Sequence, residues 1–202
     1  FSNGEKYTGE WLHDKVNGFG NFRYGNSDVY KGEFINGIKS GQGIYNDADG
    51  NSYEGEFQND EKSGSGIYIY VNGDKYEGEF LNGLRNGKGK LMYKLGDFYE
   101  GKWKNDKRHG LGYLQLVNED FYEGDWKDGE KDGQGKYMYS KGDFYTGSWE
   151  KGKRCGVGIY EWANGDVYEG EWENDMKHGS GTLKISTGEM IQVEFILDEL
   201  VD

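Results

Sequence analysis

A period of 23 residues runs through almost the whole chain. Eight tyrosines keep this spacing without an insertion: Tyr7, Tyr30, Tyr53, Tyr76, Tyr99, Tyr122, Tyr145 and Tyr168. Glycine follows each of them by two residues and Phe or Trp by four, and one further step reaches Ile191. Because a fixed period of about 20 to 50 residues is typical of linear repeat arrays, we predict one continuous array over residues 1–202. It would comprise eight full repeats and a degenerate repeat at 188–202, and we interpret it as a fragment of a longer repeat protein.

The residues of one repeat alternate as they do in strands. Between Tyr76 and Phe80, aromatic residues and a glycine alternate with two glutamates, and a period of two places these sets on opposite faces of a strand. The next segment, "NGLRNG", begins with Asn82 and Gly83, which favour the positive φ angles of a tight hairpin turn. The returning strand is expected to start at Gly87. Each repeat is therefore predicted to be one β-hairpin.

Glycine and proline usage favours a nearly continuous sheet. The chain has 36 glycines and no proline; proline is excluded from interior strands, and each glycine inside a helix costs about 1 kcal/mol. We therefore predict an all-β fold, an elongated, rod-like single antiparallel sheet of stacked β-hairpins. Aromatic rings are expected to lie over glycines of the neighbouring strand. We predict an aromatic groove formed by Tyr76, Phe80, Tyr99, Trp103, Tyr122, Trp126, Tyr145, Trp149, Tyr168 and Trp172.

Basic residues recur nine positions after the reference tyrosines. They are Lys39, Lys62, Arg85, Arg108, Lys131, Arg154 and Lys177. One interpretation is cross-strand ion pairing that also protects the turns from aggregation. The other is a basic stripe that meets anionic phospholipid headgroups or an acidic partner.

Acidic residues recur three positions after the reference tyrosines. Glu33, Glu56, Glu79, Asp125 and Glu171 share this register, while Lys102 and Ser148 interrupt it. Paired carboxylates can serve as an acid and a base, but these alternate with glycine on a repeating strand and predict no cleft. We therefore interpret them as a solvated face paired with neighbouring lysines.

Charge and cysteine usage restrict the class of partner and the compartment. The net charge of −13 argues against nucleic acid and weakens any bulk attraction to an anionic membrane. A single cysteine provides no disulfide framework, which fits a reducing compartment inside the cell.

One pair of residues raises the question of a metal. Cys155 and His178 occupy equivalent positions of adjacent repeats, at a spacing that one zinc ion could bridge. Two ligands do not complete a tetrahedral site, but the same pair from a second copy would. The alternative is that both are exposed turn residues without a metal, and that the protein has no cofactor.

The C-terminal segment "EMIQVEFILDELVD" is the most apolar stretch of a polar chain. Because a bare sheet edge has to be covered, this segment either folds back as a cap or meets a second copy. We favour a dimer interface formed by Ile191, Val193, Phe195, Ile196, Leu197, Leu200 and Val201.

The unit "YEGEWxNDxxHGxGxL", found at 168–183, closely resembles the MORN (membrane occupation and recognition nexus) repeat. The likeness covers essentially the whole chain, which is most similar to the all-repeat MORN scaffolds of protist and apicomplexan cytoskeletons. That resemblance implies an extended antiparallel sheet, homodimerisation through the C-terminal repeats, and a place in membrane-adjacent cytoskeletal or cell-division structures. In the last unit Ile191, Val193 and Phe195 depart from the pattern, which questions whether it is an ordinary repeat.

No arrangement of a nucleophile, a base and an orienting group is visible, so we do not expect an enzyme. We predict a structural scaffold that homodimerises, is cytoplasmic, and binds cytoskeletal or membrane-associated proteins. Two alternatives remain: a module that binds phosphoinositides or other anionic lipids, and a localisation arm of an enzyme encoded outside this sequence.

Overall fold

The computed structural model describes residues 4–201. All regular secondary structure within this range is β-strand. Residues 1–3 and 202, the ends of the predicted array, lie outside the described residues. The strands are β1 Lys6–Leu12, β2 Lys15–Arg23, β3 Val29–Ile35, β4 Ile38–Asn46, β5 Ser52–Gln58, β6 Glu61–Ile69, β7 Lys75–Leu81, β8 Leu84–Met92, β9 Phe98–Lys104, β10 Lys107–Gln115, β11 Phe121–Lys127, β12 Glu130–Met138, β13 Phe144–Glu150, β14 Lys153–Glu161, β15 Val167–Glu173, β16 Met176–Lys184, β17 Met190–Ile196 and β18 Glu199–Leu200. The predicted all-β class is confirmed.

The chain divides into two compact units. The first contains the described residues of Phe1–Gly96 together with Trp103–Asp106, and the second contains those of Asp97–Lys102 and Lys107–Asp202. In the first unit, β1 to β8 pair antiparallel in sequence order. In the second, β10 to β18 do the same. Stacked antiparallel hairpins, as the sequence predicts, therefore build each unit.

The hairpin turn is tighter than the sequence suggested. Leu81 pairs directly with Leu84, so the turn contains only Asn82 and Gly83, with φ angles of 50° and 78°. Two successive positive φ values match the right-handed twist of the flanking strands, which explains the Asn-Gly sequence. The returning strand begins at Leu84, whereas the sequence predicted a start at Gly87. Gly87 instead lies in the strand with a φ of 87°, next to an irregularity in the register.

That irregularity explains the repeating acidic residues. A register shift between Gly78 and Phe80 leaves the backbone N–H of Lys88 without a ladder partner, and the Glu79 carboxylate accepts it at 3.1 Å. Equivalent bonds of 2.9, 2.9 and 3.0 Å join Gln42 to Glu33, Ser65 to Glu56 and Gln134 to Asp125. Of the interpretation as a solvated face paired with lysines, the solvated part holds, because Glu33, Glu56, Glu79 and Glu171 are exposed. The pairing with lysines was wrong for Glu33, Glu56, Glu79 and Asp125, whose carboxylates complete the backbone hydrogen bonding of the bulge.

The reference tyrosines form the innermost layer of each unit. The hydroxyl of Tyr76 donates to the backbone oxygen of Glu79 at 3.0 Å, and its ring lies over Gly78 and Gly89 of paired strands. Seven of these tyrosines are at most 1% exposed: Tyr30, Tyr53, Tyr76, Tyr99, Tyr122, Tyr145 and Tyr168. Rings thus fill the space that the glycines leave open, as the sequence predicted.

The aromatic residues four positions later join neighbouring hairpins. Phe57 stands edge-on to Tyr53 in its own repeat and to Tyr30 in the repeat before, with centroids 5.1 and 4.9 Å apart. Where tryptophan occupies the position it adds a hydrogen bond, because Trp172 Nε1 donates to the backbone oxygen of Gly158 at 3.2 Å. Such edge-on pairs contribute about 0.5–1.5 kcal/mol each beyond their burial.

The last repeat continues this pattern. β17 pairs with β16 in the register of the earlier hairpins, with Phe195 opposite Gly179 as Trp172 is opposite Gly156. Phe195 is 9% exposed and stands edge-on to Tyr168 at 5.5 Å. This unit thus keeps the strand register and the packing of Phe195. It departs from the other repeats at Ile191, which is 40% exposed where seven reference tyrosines are buried, and in its two-residue return strand.

Candidate interaction surface

The predicted aromatic groove is not a groove. The members named from the sequence, from Tyr76 to Trp172, are all buried at 6% exposure or less. They cannot meet a partner, because their side chains are buried. These residues form the core of the repeats, and their prediction as a binding groove was wrong.

A second layer of aromatic residues lies on the same face and is half-buried. In the second unit it consists of Tyr137, Tyr139, Tyr160 and Trp162, which we call the outer aromatic row. Successive ring centroids are 4.6, 6.0 and 4.9 Å apart. Tyr137 pairs directly with the buried Tyr122 and Tyr145 on either side, which places the row on the core face.

The first unit repeats this layer with Phe22, Tyr24, Tyr45, Tyr68 and Tyr70. Tyr68 and Tyr70 are 4.5 Å apart, and Tyr24 lies 6.4 Å from Tyr45. The sequence contained the signal for these residues, since aromatic residues occupy both the fifteenth and the seventeenth position after Tyr7, Tyr53, Tyr122 and Tyr145. It was missed because the tighter Tyr-x-Gly-x-aromatic pattern dominates the repeat.

The outer tyrosines are tied to the turns by aspartates. The Asp143 carboxylate accepts the hydroxyl of Tyr160 at 2.7 Å and the backbone N–H of Ala163 at 2.9 Å. Asp120 does the same for Tyr137 and Ser140, at 2.9 and 2.7 Å. Each aspartate therefore fixes both the ring and the turn of the following repeat.

The predicted basic stripe lies over aromatic rings instead of extending into solvent. All seven of its residues are half-buried. The Nζ atom of Lys131 is 4.0 Å from the centroid of a Trp149 ring and 4.8 Å from that of Tyr137. The Cζ atom of Arg154 is 4.3 Å from Trp172. These cation–π contacts make the stripe part of the outer layer, which neither interpretation of the sequence included.

Some of these cations are also paired with an aspartate of the next hairpin turn. Arg85 Nε lies 2.9 Å from Asp106 Oδ1, and Arg154 Nε lies 3.2 Å from Asp175 Oδ1. Lys177 Nζ is 3.9 Å from Asp198 Oδ1. The aspartate is always the second turn residue, 21 positions after the cation. Ion pairing, the first interpretation, thus holds for Arg85, Arg154 and Lys177, whereas Asp60 accepts the backbone N–H of Lys39 at 2.8 Å.

Burial changes the acidity of the lysines in this layer. It lowers the pKa of Lys39 and of Lys62, and it lowers the pKa of Lys131 to about 8. For Lys131 the repulsion of Arg154 and Arg108 acts in the same direction, and Asp175 opposes it. A lysine held over rings among arginines loses part of the hydration that favours its charged form.

Cys155 and His178 are not brought together with further ligands. Within residues 4–201 no three or more His, Cys, Asp or Glu side chains form a group that could hold a metal ion. Burial raises the pKa of the Cys155 thiol, with Glu150 and Asp132 adding to the effect. His178 Nε2 lies 3.5 Å from a Glu173 oxygen. A structural zinc ion at these two residues stays a prediction that requires a second copy of the chain.

The predicted dimer residues differ in their exposure. Phe195 is buried inside its own chain and cannot contribute to an interface, which corrects that assignment. Val193 is half-buried, and the exposed members are Ile191, Ile196, Leu197, Leu200 and Val201. The segment folds back in part, because β18 pairs with Phe195 and Ile196. Among the described residues no strand pairs with the outer edge of β17 over residues 190–193.

Each described unit is thus an array of antiparallel β-hairpins with a buried tyrosine–glycine core and an outer layer of rings and cations. MORN-repeat models match eight consecutive segments, at 7–29, 30–52, 53–75, 76–97, 99–121, 122–144, 145–167 and 168–190. The chain belongs to the MORN-repeat family. No helix in the described part of the chain is long and apolar enough to cross a membrane.

Solved structures with a related fold share little sequence with the chain. The TCP10 domain of CPAP from Danio rerio is 12% identical, covers 95% of each chain and has a TM-score of 0.50. The TCP domain of SAS-4 from Drosophila melanogaster, solved with a proline-rich motif of Ana2, is 15% identical. The match covers 77% of this chain and 85% of the SAS-4 chain, with a TM-score of 0.48. The likeness to the TCP10 domain concerns the fold alone. A comparison with curated proteins finds no match.

Proposed function

We propose that the protein is a non-enzymatic scaffold that binds segments of other proteins on its outer aromatic row. The observation that carries this proposal is the half-buried layer of Tyr137, Tyr139, Tyr160 and Trp162 with cations held between the rings. Half-exposed aromatic and arginine side chains are the types that contribute most to protein interfaces. An extended peptide with apolar side chains and carboxylates fits this combination.

The spacing of the surface suits an extended partner. Tyr139 and Tyr160 belong to adjacent repeats with centroids 6.0 Å apart, and Trp162 continues the row at 4.9 Å from Tyr160. Alternate side chains of an extended peptide lie about 6.6 Å apart, close to the 6.0 Å between Tyr139 and Tyr160. Carboxylates of the partner would then meet Lys131 or Arg154.

A selection experiment tests this function. Random twelve-residue peptides displayed on phage would be selected on the immobilised protein and compared with selection on Tyr139→Ser and Trp162→Ser variants. Thr146→Ala is the matched control, because Thr146 follows the buried Tyr145 and therefore points to the opposite face. We expect enriched peptides with carboxylates and apolar residues that lose binding to the first two variants and keep it to the control. Peptides that bind all four proteins equally would contradict the proposal.

Homodimerisation through the C-terminal repeats is the finer part of the proposal. It is supported by the unpaired outer edge of β17 at 190–193 and by the exposed side chains of Met190 and Ile191 at that edge. Pairing of two such edges would bury both. Light scattering of wild-type protein and of an Ile191→Lys variant separates the outcomes. We expect a dimer that the substitution dissociates, and a monomeric wild-type protein would remove this part.

We further propose that the scaffold serves membrane-adjacent cytoskeletal or cell-division assemblies in the cytoplasm. Membership of the MORN family and the repeat architecture support this placement. Direct binding of anionic phospholipid is less well supported, because the basic residues are held half-buried over rings and are less available to headgroups. A role as localisation arm of an enzyme concerns residues outside this sequence and stays a prediction.

A further inference from the structure

Two lysines of the basic stripe, Lys62 and Lys131, face a turn glycine where Lys177 faces an aspartate, and of these two Lys131 is the one that has an arginine in the stripe on either side. Lys177 and Arg154 face the turn aspartates Asp198 and Asp175, whereas the residue 21 positions after Lys131 is Gly152. No carboxylate of the described residues lies within ion-pair distance of Lys131. Its ammonium group is therefore held without the partner that the fold provides elsewhere.

The surroundings of this lysine are aromatic and cationic. Its Nζ lies 4.0, 4.8 and 5.5 Å from the centroids of Trp149, Tyr137 and Tyr122, which come from β13, β12 and β11. Three charged groups face it from farther away: Arg108 from β10 and Arg154 from β14, both cationic, and Asp175, the carboxylate in the turn after β15. Two guanidinium groups of neighbouring repeats thus flank one amine.

We propose that Lys131 is a site of covalent acylation by small acyl phosphates. The amine lies at a half-buried position without a carboxylate partner, which favours the neutral, nucleophilic form. The flanking guanidinium groups suit a donor whose leaving group is a phosphate anion. Lowering of the Lys131 pKa to about 8 agrees with this geometry.

The reaction balances without a further reagent. The lone pair of Nζ attacks the acyl carbon, an N–C bond forms, and the bond from that carbon to the phosphate oxygen breaks. Inorganic phosphate leaves with the bonding electrons, and the proton on nitrogen passes to water. The product is a neutral amide, so the outer layer loses one positive charge between Arg108 and Arg154.

Acetyl phosphate is the probe for this site. Purified protein would be treated at pH 7.5, and the acetylation rate of each lysine would be followed by peptide mass spectrometry. At that pH an amine with a pKa of about 8 is neutral in roughly a quarter of the molecules, against about 0.1% for an ordinary lysine. Because a less basic amine is also a weaker nucleophile, we expect Lys131 to react about tenfold faster than Lys177. Its rate should level off above about pH 8.

Gly152→Asp is the matched variant, because the chain itself places aspartate at this turn position in Asp106, Asp175 and Asp198. Gly152 has no atom within 4 Å of an added Cβ, and its φ of 84° is close to the 73° of Asp175. The variant should fold normally and bring the rate of Lys131 down toward that of Lys177. An unchanged rate, or equal rates of the two lysines in wild-type protein, would overturn the proposal. Selectivity for Lys131 that appears only with the uncharged N-acetoxysuccinimide would overturn the assignment of an acyl phosphate.

Discussion

The ring of Tyr76 lies so close to Gly89 on the paired strand that an added Cβ would come within 2.2 Å of the phenolic oxygen. The tyrosine is completely buried, and its hydroxyl is fixed by the backbone oxygen of Glu79. Neither ring nor backbone can move aside without breaking this bond. The second glycine of each G-x-G pair is therefore a packing requirement of the fold.

Substitution of Gly89 by alanine should destabilise the first unit by about 2–3 kcal/mol, because the methyl group overpacks the core. Gly83→Ala is the control: its Cβ meets no atom within 4 Å, and only the φ of 78° opposes it. Placing alanine at this positive φ costs about 1 kcal/mol of stability. Urea unfolding monitored by circular dichroism compares the two variants. Equal midpoints would show that the ring does not need the bare backbone.

The ion pair between Arg154 and Asp175 can be removed without changing the turn. Asp175→Gly converts an Asn-Asp turn into the Asn-Gly turn that the chain uses at Asn82 and Gly83. Because the pair is partly exposed, we expect a loss of about 0.5–1 kcal/mol that shrinks at high salt. Unfolding of wild-type and variant protein at 0.05 and 1 M sodium chloride measures the loss of stability and its dependence on salt. A stability that does not depend on salt would mean that the carboxylate contributes through the Arg154 backbone N–H, which it also accepts at 2.9 Å.

Phe195→Asp should unfold the last hairpin. The sequence placed this residue in a dimer interface, but the structure buries it against Tyr168 and under Lys177. A buried carboxylate there costs several kcal/mol. Hydrogen exchange should therefore accelerate in β16 and β17 of this variant, while Ile196→Asp, at an exposed position, leaves both strands protected. Retained protection in the Phe195 variant would contradict the packing.

Acid should weaken the links between outer tyrosines and turns. Burial acts to raise the pKa of Asp120, but hydrogen bonds from the Ser140 N–H, the Tyr137 hydroxyl and Asn118 outweigh it and leave the pKa lowered. A carboxyl group whose pKa is lower in the folded state stabilises the fold at pH values above its pKa in the unfolded chain, which is near 4. This contribution is lost as the pH falls through the pKa of the folded state. Unfolding curves between pH 6 and pH 2 should show wild-type stability declining below about pH 4. The decline should be smaller in Asp120→Asn, and equal slopes would contradict the assignment.

Periodic features of the sequence predicted periodic features of the structure. The Tyr-x-Gly-x-aromatic pattern predicted the hairpin, the tyrosine–glycine packing and the two-residue turn chemistry of Asn82 and Gly83. Exposure was harder to predict, because a period of two assigns a side chain to a face without saying what covers that face. For this reason Trp172 was taken for a surface residue, while Trp162, which is half-buried, was overlooked.

The sequence suggested cross-strand ion pairs but did not identify which residues of neighbouring repeats are paired. The bonds of Arg154 to Asp175 and of Tyr160 to Asp143 join residues 21 and 17 positions apart. These separations depend on the bulge and on the length of the turn. The sequence analysis did not predict the bulge and made the turn too long, because it placed the start of the returning strand at Gly87. Phe195 was misassigned because its segment reads as an apolar tail, although its register is that of an ordinary repeat.

The most direct test of the account is the accessibility of its two aromatic layers. Two single-tryptophan variants are needed, one retaining Trp162 and the other Trp172. The remaining tryptophans would be replaced by Phe, which the chain itself uses at Phe57 and Phe80, and Trp162 by Tyr, as at Tyr139. Acrylamide quenching of fluorescence then reports exposure of each ring. The account predicts that Trp162 is quenched several-fold more efficiently than Trp172, and equal quenching would contradict the division into a buried core and an outer interaction surface.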